Sequence, residues 1–347
     1  MVALTNPKAP HLDGADAIIL PGMLQIGDQF DRFQIRGYLA RGGMSDIYRA
    51  YDVINRREVA LKIPEASLIG DPAQYERFQR ELEVFGMLQH PAILRGLGSG
   101  QYNRTPYLAT ELVEGQSLRD LIHASAPLPP DQALTLIRSI ADGLAFCHAH
   151  EVIHRDLKPE NILITLEGQP VIMDFGLALT KKSHRVTYAN LSATAGTPEY
   201  MAPEQVEGQR GDERTDLYAL GIICYELLTG EPPFTGDNPL AIMGAHLNRV
   251  APRLDQRQPA VPPALAATIA RCLQRRPDDR YADVPAFIAA LDHPETVDLA
   301  VLEKTGPGDQ KPPWWRSTLA RVLGLSLLVL LALVAVAFAA QTLGGPK

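Results

Sequence analysis

The hydrophobic period of this chain changes once, near Glu114-Gly115, and that change excludes most folds. Upstream lie the runs Phe33-Gln-Ile-Arg-Gly-Tyr-Leu-Ala40, Asp46-Ile-Tyr-Arg-Ala-Tyr-Asp-Val53, Arg57-Glu-Val-Ala-Leu-Lys-Ile-Pro64 and Pro106-Tyr-Leu-Ala-Thr-Glu-Leu112. All are short, rich in β-branched and aromatic residues, and separated by turn signals. They predict an antiparallel sheet interrupted by one helix, which opens at Asp71 and Pro72 and carries Phe78, Leu82, Phe85 and Leu88 at helical spacing. Downstream, Leu134, Ile137, Ala141 and Leu144 mark one long helix, and Leu217, Leu220, Cys224 and Leu227 mark a second that stops at Gly230. A β-rich lobe joined to a larger α-rich lobe is an α+β architecture, and the cleft between such lobes is the expected ligand site.

The 347 residues suit one large two-lobed domain or two linked ones. A formal net charge of -7 argues against nucleic acid as a partner, because neutralising phosphates needs a basic surface. Cys147, Cys224 and Cys272 lie far apart in apolar runs without a CxxC pair, and are expected as reduced packing residues. Residues 1–25 read as a flexible leader, 26–292 as the folded domain (smaller lobe about 26–112, larger lobe about 113–292) and 293–318 as a tethering linker. Residues 319–343 read as a transmembrane helix, since Val322 to Leu343 carry no charge and can cross a hydrocarbon layer of ~30 Å. Trp314 and Trp315 precede it at the expected interface. Lys311, Arg316 and Arg321 on the same side place the folded domain in the cytoplasm and residues 344–347 beyond the membrane. A buried helix of a soluble protein is the alternative reading of this segment.

Two motifs carry chemistry: His154-Arg-Asp-Leu-Lys-Pro-Glu-Asn161 and Met173-Asp-Phe-Gly176. Phosphoryl transfer from a nucleotide needs a divalent metal bridging the phosphates, a carboxylate near the incoming hydroxyl and a cation on the phosphates. Asp156, Asn161 and Asp174 are oxygen donors of the kind Mg²⁺ prefers. With Val59-Ala-Leu-Lys62 upstream and Ala202-Pro-Glu204 downstream, the ordered set from about Phe33 to Leu291 resembles a eukaryotic-like serine/threonine protein kinase domain of the bacterial type. The resemblance implies a bilobal protein kinase-like fold, with a β-rich N-lobe and an α-rich C-lobe, to which composition adds the C-terminal transmembrane helix.

It also implies roles for matching positions. Lys62 would bind the nucleotide phosphates and pair with Glu81, chosen over Glu76 and Glu83 from its Arg80-Glu81 context. Asp156 would accept or orient the substrate hydroxyl's proton, Lys158 would steady the transferring group, and Asn161 and Asp174 would hold Mg²⁺, with Mn²⁺ as a substitute. The glycine-rich loop of the family aligns on Ala40, Arg41, Gly42, Gly43, Met44, Ser45 and Ile47, with Ala40 and Ser45 replacing two glycines. Backbone N–H groups do the cradling there, so any cost lies in φ freedom, about 1 kcal/mol where φ is unfavourable. Ile47 and Ala60 would cover adenine, Thr110 would limit pocket depth, and the backbones of Glu111 and Val113 would meet the adenine edge. A second glycine cluster, Gly96-Leu-Gly-Ser-Gly100, lacks a following helix and reads as a tight hairpin.

Between Asp174 and Glu204 lies a hydroxyl-rich activation segment. Arg155 is placed to pair with a phosphate on Thr194, Ser192 or Thr187, with Thr194 first, and Thr197 is expected against Asp156 and Lys158. Asp216 would anchor the catalytic loop backbone, and Arg280 would pair with Glu204. His148, His150 and His154 have no cysteine or acidic neighbour at zinc-binding spacing. The implied function is ATP- and Mg²⁺-dependent phosphorylation of protein substrates at a cell membrane, with a second copy of the chain as a candidate partner for autophosphorylation. An inactive scaffold is the competing class, and retention of Lys62, Asp156 and Asp174 discriminates against it.

Overall fold

The computed structural model describes residues 24–41, 45–64, 78, 81–103, 105–175, 178 and 197–304. Gly42, Gly43 and Met44, the hydroxyls Thr187, Ser192 and Thr194, and the expected membrane segment 319–343 lie outside the described residues. Among the described residues no helix is long and apolar enough to cross a membrane.

Six strands form the smaller lobe: β1 Gln29–Phe30, β2 Phe33–Arg41, β3 Ser45–Asp52, β4 Arg57–Pro64, β5 Gly96–Tyr102 and β6 Thr105–Glu111. They run in the order β1-β2-β3-β4-β6-β5, with every neighbouring pair antiparallel. Strand period divides their apolar residues between two cores. Tyr48, Val59, Leu61, Tyr107 and Ala109 pack on one face with Phe33 and Ile35, whereas Ile47, Ala60 and Leu108 join the main core on the other. Lys62 lies two residues from Ala60, opposite Ile47 on β3 and Leu108 on β6, and therefore shares the face turned toward the main core.

The expected helix is helical over 81–85, with Phe78, Phe85 and Leu88 buried. The glycine cluster read as a tight hairpin is instead the extended strand β5, whose turn to β6 lies beyond Tyr102. Its glycines serve close approach: a Cβ on Gly96 would lie 2.8 Å from the Phe85 carbonyl oxygen, and one on Gly100 would lie 2.5 Å from the Tyr107 hydroxyl.

The larger lobe opens with a three-stranded sheet, β7 Gly115–Ser117, β8 Ile162–Thr165 and β9 Pro170–Ile172. Its helices are α1 Leu118–Ser125, α2 Pro130–Ala149, α3 Pro203–Val206, α4 Glu213–Thr229, α5 Pro239–Asn248, α6 Leu254–Arg257, α7 Pro263–Cys272 and α8 Val284–Asp292. Helix α4 is buried over nearly its whole length; Asp212 caps its start and Gly230, at φ 82°, ends it in the left-handed region. Two hydrogen bonds tie the lobes behind the cleft: Ile172 N–H to the Ala92 carbonyl at 2.8 Å and Leu94 N–H to the Ile172 carbonyl at 2.9 Å. The three cysteines are buried and free, and burial pushes the Cys272 thiol up to about 12.

The stretch read as a linker packs at its beginning. Residues 299–304 form a 3₁₀ turn, Leu302 is buried in the main core, and Val297 and Val301 lie against it. Burial of these apolar side chains holds the segment where Pro and Gly content alone suggested a tether.

Gly115 enters β7 against the backbone of β8, and a Cβ there would lie 2.0 Å from the Ile164 carbonyl oxygen. Gly115→Ala is expected to cost roughly 1–3 kcal/mol or more, because backbone and not a flexible side chain must move. A urea midpoint unchanged from wild type would refute this packing account.

Candidate active site

Lys62, on β4, reaches Glu81 on the helix of the same lobe, its Nζ donating to both carboxylate oxygens at 2.6 Å. Glu81 lies on the apolar stripe of its helix, three residues after Phe78 and four before Phe85, and is buried where Glu83 is exposed. Burial works against the Lys62 charge, but the Glu81 and Asp174 carboxylates outweigh it and hold the ammonium above its ordinary value. Asp174 follows β9 at φ 65°. Burial would push its carboxyl up; Lys62, with Lys158 and His154, holds it well below the usual carboxylate range. A cation and an ionised carboxylate therefore face each other beneath the sheet.

The turn between α2 and β8 carries the other groups. Lys158 Nζ donates to Asp156 Oδ2 at 2.8 Å. Asn161 Nδ2 donates to the same oxygen at 3.1 Å and to the Asp156 carbonyl at 2.8 Å. The Met173 N–H in turn donates to the Asn161 carbonyl at 2.9 Å, which sets this turn against the segment leading to Asp174. Its nitrogen is committed, and among the described residues Asn161 Oδ1 has no hydrogen-bond partner, which leaves it as a ligand atom for a cation. One amide oxygen and one ionised carboxylate fit Mg²⁺, which takes few protein ligands and completes its shell with phosphate and water. A bound Mg²⁺ would neutralise charge developing on phosphate oxygens.

Buried Asp216, at the start of α4, holds the turn from below. Its carboxylate accepts from the N–H groups of His154 at 2.8 Å and Arg155 at 2.7 Å. His148 Nε2, on α2, is 2.8 Å from Oδ2 of the same residue. Burial raises this carboxyl, but the hydrogen bond from His148, the His148 and His154 imidazoles and the Arg155 N–H outweigh it, and the group is held below its ordinary value. Its folded-state pKa is depressed, so its stabilisation is complete above the unfolded value of about 4 and is lost as pH falls through the lower folded one. Asp216→Asn should therefore flatten the acid limb of a melting-temperature series; an unaltered limb would remove Asp216 as its source.

Phe175 links the two halves of the site. Its ring lies 5.5 Å from Phe85 and 4.9 Å from His154 in edge and tilted contacts, joining the Glu81 helix to the turn that carries Asp156. Where the nucleotide is expected, Ile47 and Ala60 are buried on the cleft-facing side of the sheet, and Thr110 on β6 is paired with Ala60. The Thr110 hydroxyl donates to the Glu111 carbonyl at 3.2 Å, and among the described residues the Val113 N–H donates to no protein group. Ala40 and Arg41 pair with Ile47 and Asp46. Neither Ala40 nor Ser45 adopts a positive φ, so replacing glycine at these two positions carries no backbone strain of that kind.

Glu204 and Arg280 meet in a buried pair, Nη1 and Nη2 donating to the two carboxylate oxygens at 2.8 and 2.7 Å. Thr197 stands before a 3₁₀ turn and its carbonyl accepts from the Tyr200 N–H at 3.2 Å; among the described residues it bonds neither Asp156 nor Lys158. Sequence reasoning missed Arg119, which reaches Glu160 at 2.8 Å, Glu226 at 2.6 Å and the Tyr200 hydroxyl, thereby joining α1, the turn that carries Asp156 and α4. Nothing in its spacing from those partners singles it out. It also missed His148, whose place on the inner face of α2 beside an acidic helix start was the available signal.

Two lobes, a lysine–glutamate pair beneath the sheet and Asp156, Lys158 and Asn161 beside Asp174 define the architecture of the protein kinase class. The chain belongs to the protein kinase domain family, which matches residues 33–294. It is similar to serine/threonine-protein kinase PknB of Mycolicibacterium smegmatis, 38% identical over 265 residues covering 75% of this chain and 42% of that protein. Serine/threonine-protein kinase PknE of Mycobacterium tuberculosis is 37% identical over 280 residues, covering 79% of this chain and 49% of that one. The chain thus spans less than half the length of these relatives, which put it with the bacterial eukaryotic-like serine/threonine kinases. The crystal structure of the Mycobacterium tuberculosis PknI kinase domain superposes with a TM-score of 0.62 at 25% identity, over 79% of this chain and 99% of that one.

Proposed function

We propose that this chain is an active serine/threonine protein kinase that transfers the γ-phosphoryl group of ATP to protein hydroxyls with Mg²⁺. The observation that carries the reading is the Lys62–Glu81 pair at 2.6 Å with Asp174 held ionised beside it, an arrangement a scaffold has no need to keep. Lys62 binds the nucleotide phosphates, Glu81 fixes its ammonium, and Asn161 and Asp174 hold the metal. Asp156 orients the incoming hydroxyl and takes its proton, while Lys158, bonded to Asp156, carries positive charge to the transferring group. The backbones of Glu111 and Val113 bind adenine beneath Ile47 and Ala60.

The same reading extends to regulation and place. Arg155 receives a phosphate on Thr194, Ser192 or Thr187 after autophosphorylation between two copies, and residues 319–343 anchor the protein in the membrane with the kinase domain cytoplasmic. Incubating the full chain with Mg²⁺ and γ-labelled ATP should label serine and threonine, including hydroxyls between Asp174 and Glu204, and chelation should stop it. Label incorporation no greater than in an Asp156→Asn control would overturn the reading. Release from membranes by carbonate washing would overturn the anchor alone.

A further inference from the structure

Gln205, 8% exposed, lies one residue beyond Ala202-Pro203-Glu204 on the short helix α3, outside every motif described above. Its side-chain amide has two backbone partners from distant segments. Oε1 accepts from the Ala202 N–H at 3.0 Å, and Nε2 donates to the Arg155 carbonyl at 2.9 Å. The two partners fix the amide's orientation, because a flipped amide would set nitrogen against an N–H and oxygen against a carbonyl.

The carbonyl it holds is an unusual one. Arg155 has a φ of 65°, a conformation that costs an L residue energy and persists only when its surroundings enforce it. Asp216 restrains the Arg155 N–H at 2.7 Å, and Gln205 restrains the Arg155 carbonyl, so the residue is gripped at both ends. That carbonyl belongs to the same planar peptide as the Asp156 N–H, which donates to His154 Nδ1 at 3.3 Å. Rotation of this one plane sets the direction from which the Asp156 carboxylate emerges. At its other end, the Gln205 amide is set by Ala202, whose helix is pinned by the neighbouring Glu204–Arg280 pair.

We propose that Gln205 is a positioning residue for phosphoryl transfer: it orients the Arg155–Asp156 peptide, and hence the Asp156 carboxylate, and makes that orientation depend on the seating of the chain at Ala202. The inference rests on the assignment of Asp156 as the group nearest the reacting hydroxyl. Only a side chain of this length with both a donor and an acceptor meets the two partners. Methionine matches the length and lacks both; glutamate keeps an acceptor for Ala202 and, when ionised, offers Arg155 no donor.

The test uses the full chain with Gln205→Met and Gln205→Glu. Q205M should lower kcat by about tenfold or more with the KM for ATP within about twofold and affinity for Mg²⁺·ATP unchanged. A protonated glutamate regains an O–H donor for the Arg155 carbonyl, so the ratio of Q205E to wild-type kcat should rise as pH falls, whereas the Q205M ratio stays flat. The titratable and charged groups about the amide, namely His154, Arg155 and Asp156 on the turn, Glu204 on α3, Asp216 on α4 and Arg280, are shared by all three proteins and cancel in these ratios. A residue that only capped α3 would shift the melting temperature and leave both ratios flat and kcat per folded molecule unchanged. That result, or loss of a cooperative transition in both variants, overturns the proposal. A wild-type chain without transfer overturns the kinase reading with it, while an active wild type and an unimpaired Q205M overturn the role of Gln205 alone.

Discussion

Asp174→Asn is expected to lower phosphoryl transfer by roughly a thousandfold or more while the protein stays folded. Three nearby cationic or imidazole groups, Lys62, Lys158 and His154, hold this carboxyl ionised against the pull of burial. Asparagine keeps its size and one oxygen but removes the charge that a hard cation between phosphates needs. The loss should appear first in binding, as a weakened Mg²⁺-dependent affinity for nucleotide in a calorimetric titration. Asp156→Asn should divide the effects the other way. In the proposed assignment its carboxylate faces the incoming hydroxyl, so nucleotide affinity should persist while turnover falls by roughly 10²–10⁴. Wild-type transfer by purified D174N, or equal losses of binding in both variants, would sink the division of roles.

The second large effect is on stability. Arg280 has a side chain with 0% exposure and saturates its donors: two bonds to Glu204, and others to the Gln274, Arg214 and Arg275 carbonyls at 2.8, 2.8 and 3.1 Å. Its guanidinium also lies 4.8 Å over the Tyr218 ring. Truncation to alanine leaves the Glu204 carboxylate buried with the Thr215 hydroxyl at 2.9 Å, and three carbonyls without their donors. Removing one partner of a buried pair costs about 3–5 kcal/mol, and Arg280→Ala is expected in that range in urea unfolding. Arg280→Lys should recover little of it, since an ammonium cannot fork onto Glu204 and reach the carbonyls as well. The double replacement Glu204→Leu with Arg280→Met should be milder than R280A, because it leaves no unpaired charge. A loss under about 1 kcal/mol for R280A would show the pair to be dispensable.

Much of the site was readable because its chemistry is concentrated in short runs. Lys62 falls on the alternate face of β4 with Ala60, and strand period alone gives that placement. Glu81 could be chosen by helical period as well as by context, since a carboxylate among Phe78, Phe85 and Leu88 must be buried and must find a cation. The glycine cluster at Gly96–Gly100 misled for a definable reason. Glycine serves tight turns and close packing alike, and which one applies depends on Phe85 and Tyr107, neither of which is a neighbour within the cluster.

The order of motifs, the change from strand to helix period and the charged residues at spaced positions settled the family and the two-lobed plan before any coordinates, because each is a local property of the chain. Convergence is not local. The anchoring of the turn by Asp216 was expected from the motif that carries it, but that Arg119 would join three segments and that Gln205 would hold the carbonyl behind Asp156 depends on side chains far apart in sequence meeting at 2.6 to 2.9 Å. Hydrogen bonds act over a few ångströms and demand direction, whereas a one-dimensional pattern fixes only which face a residue takes. Only packing of α1, α3 and α4 around the turn brings those partners within reach.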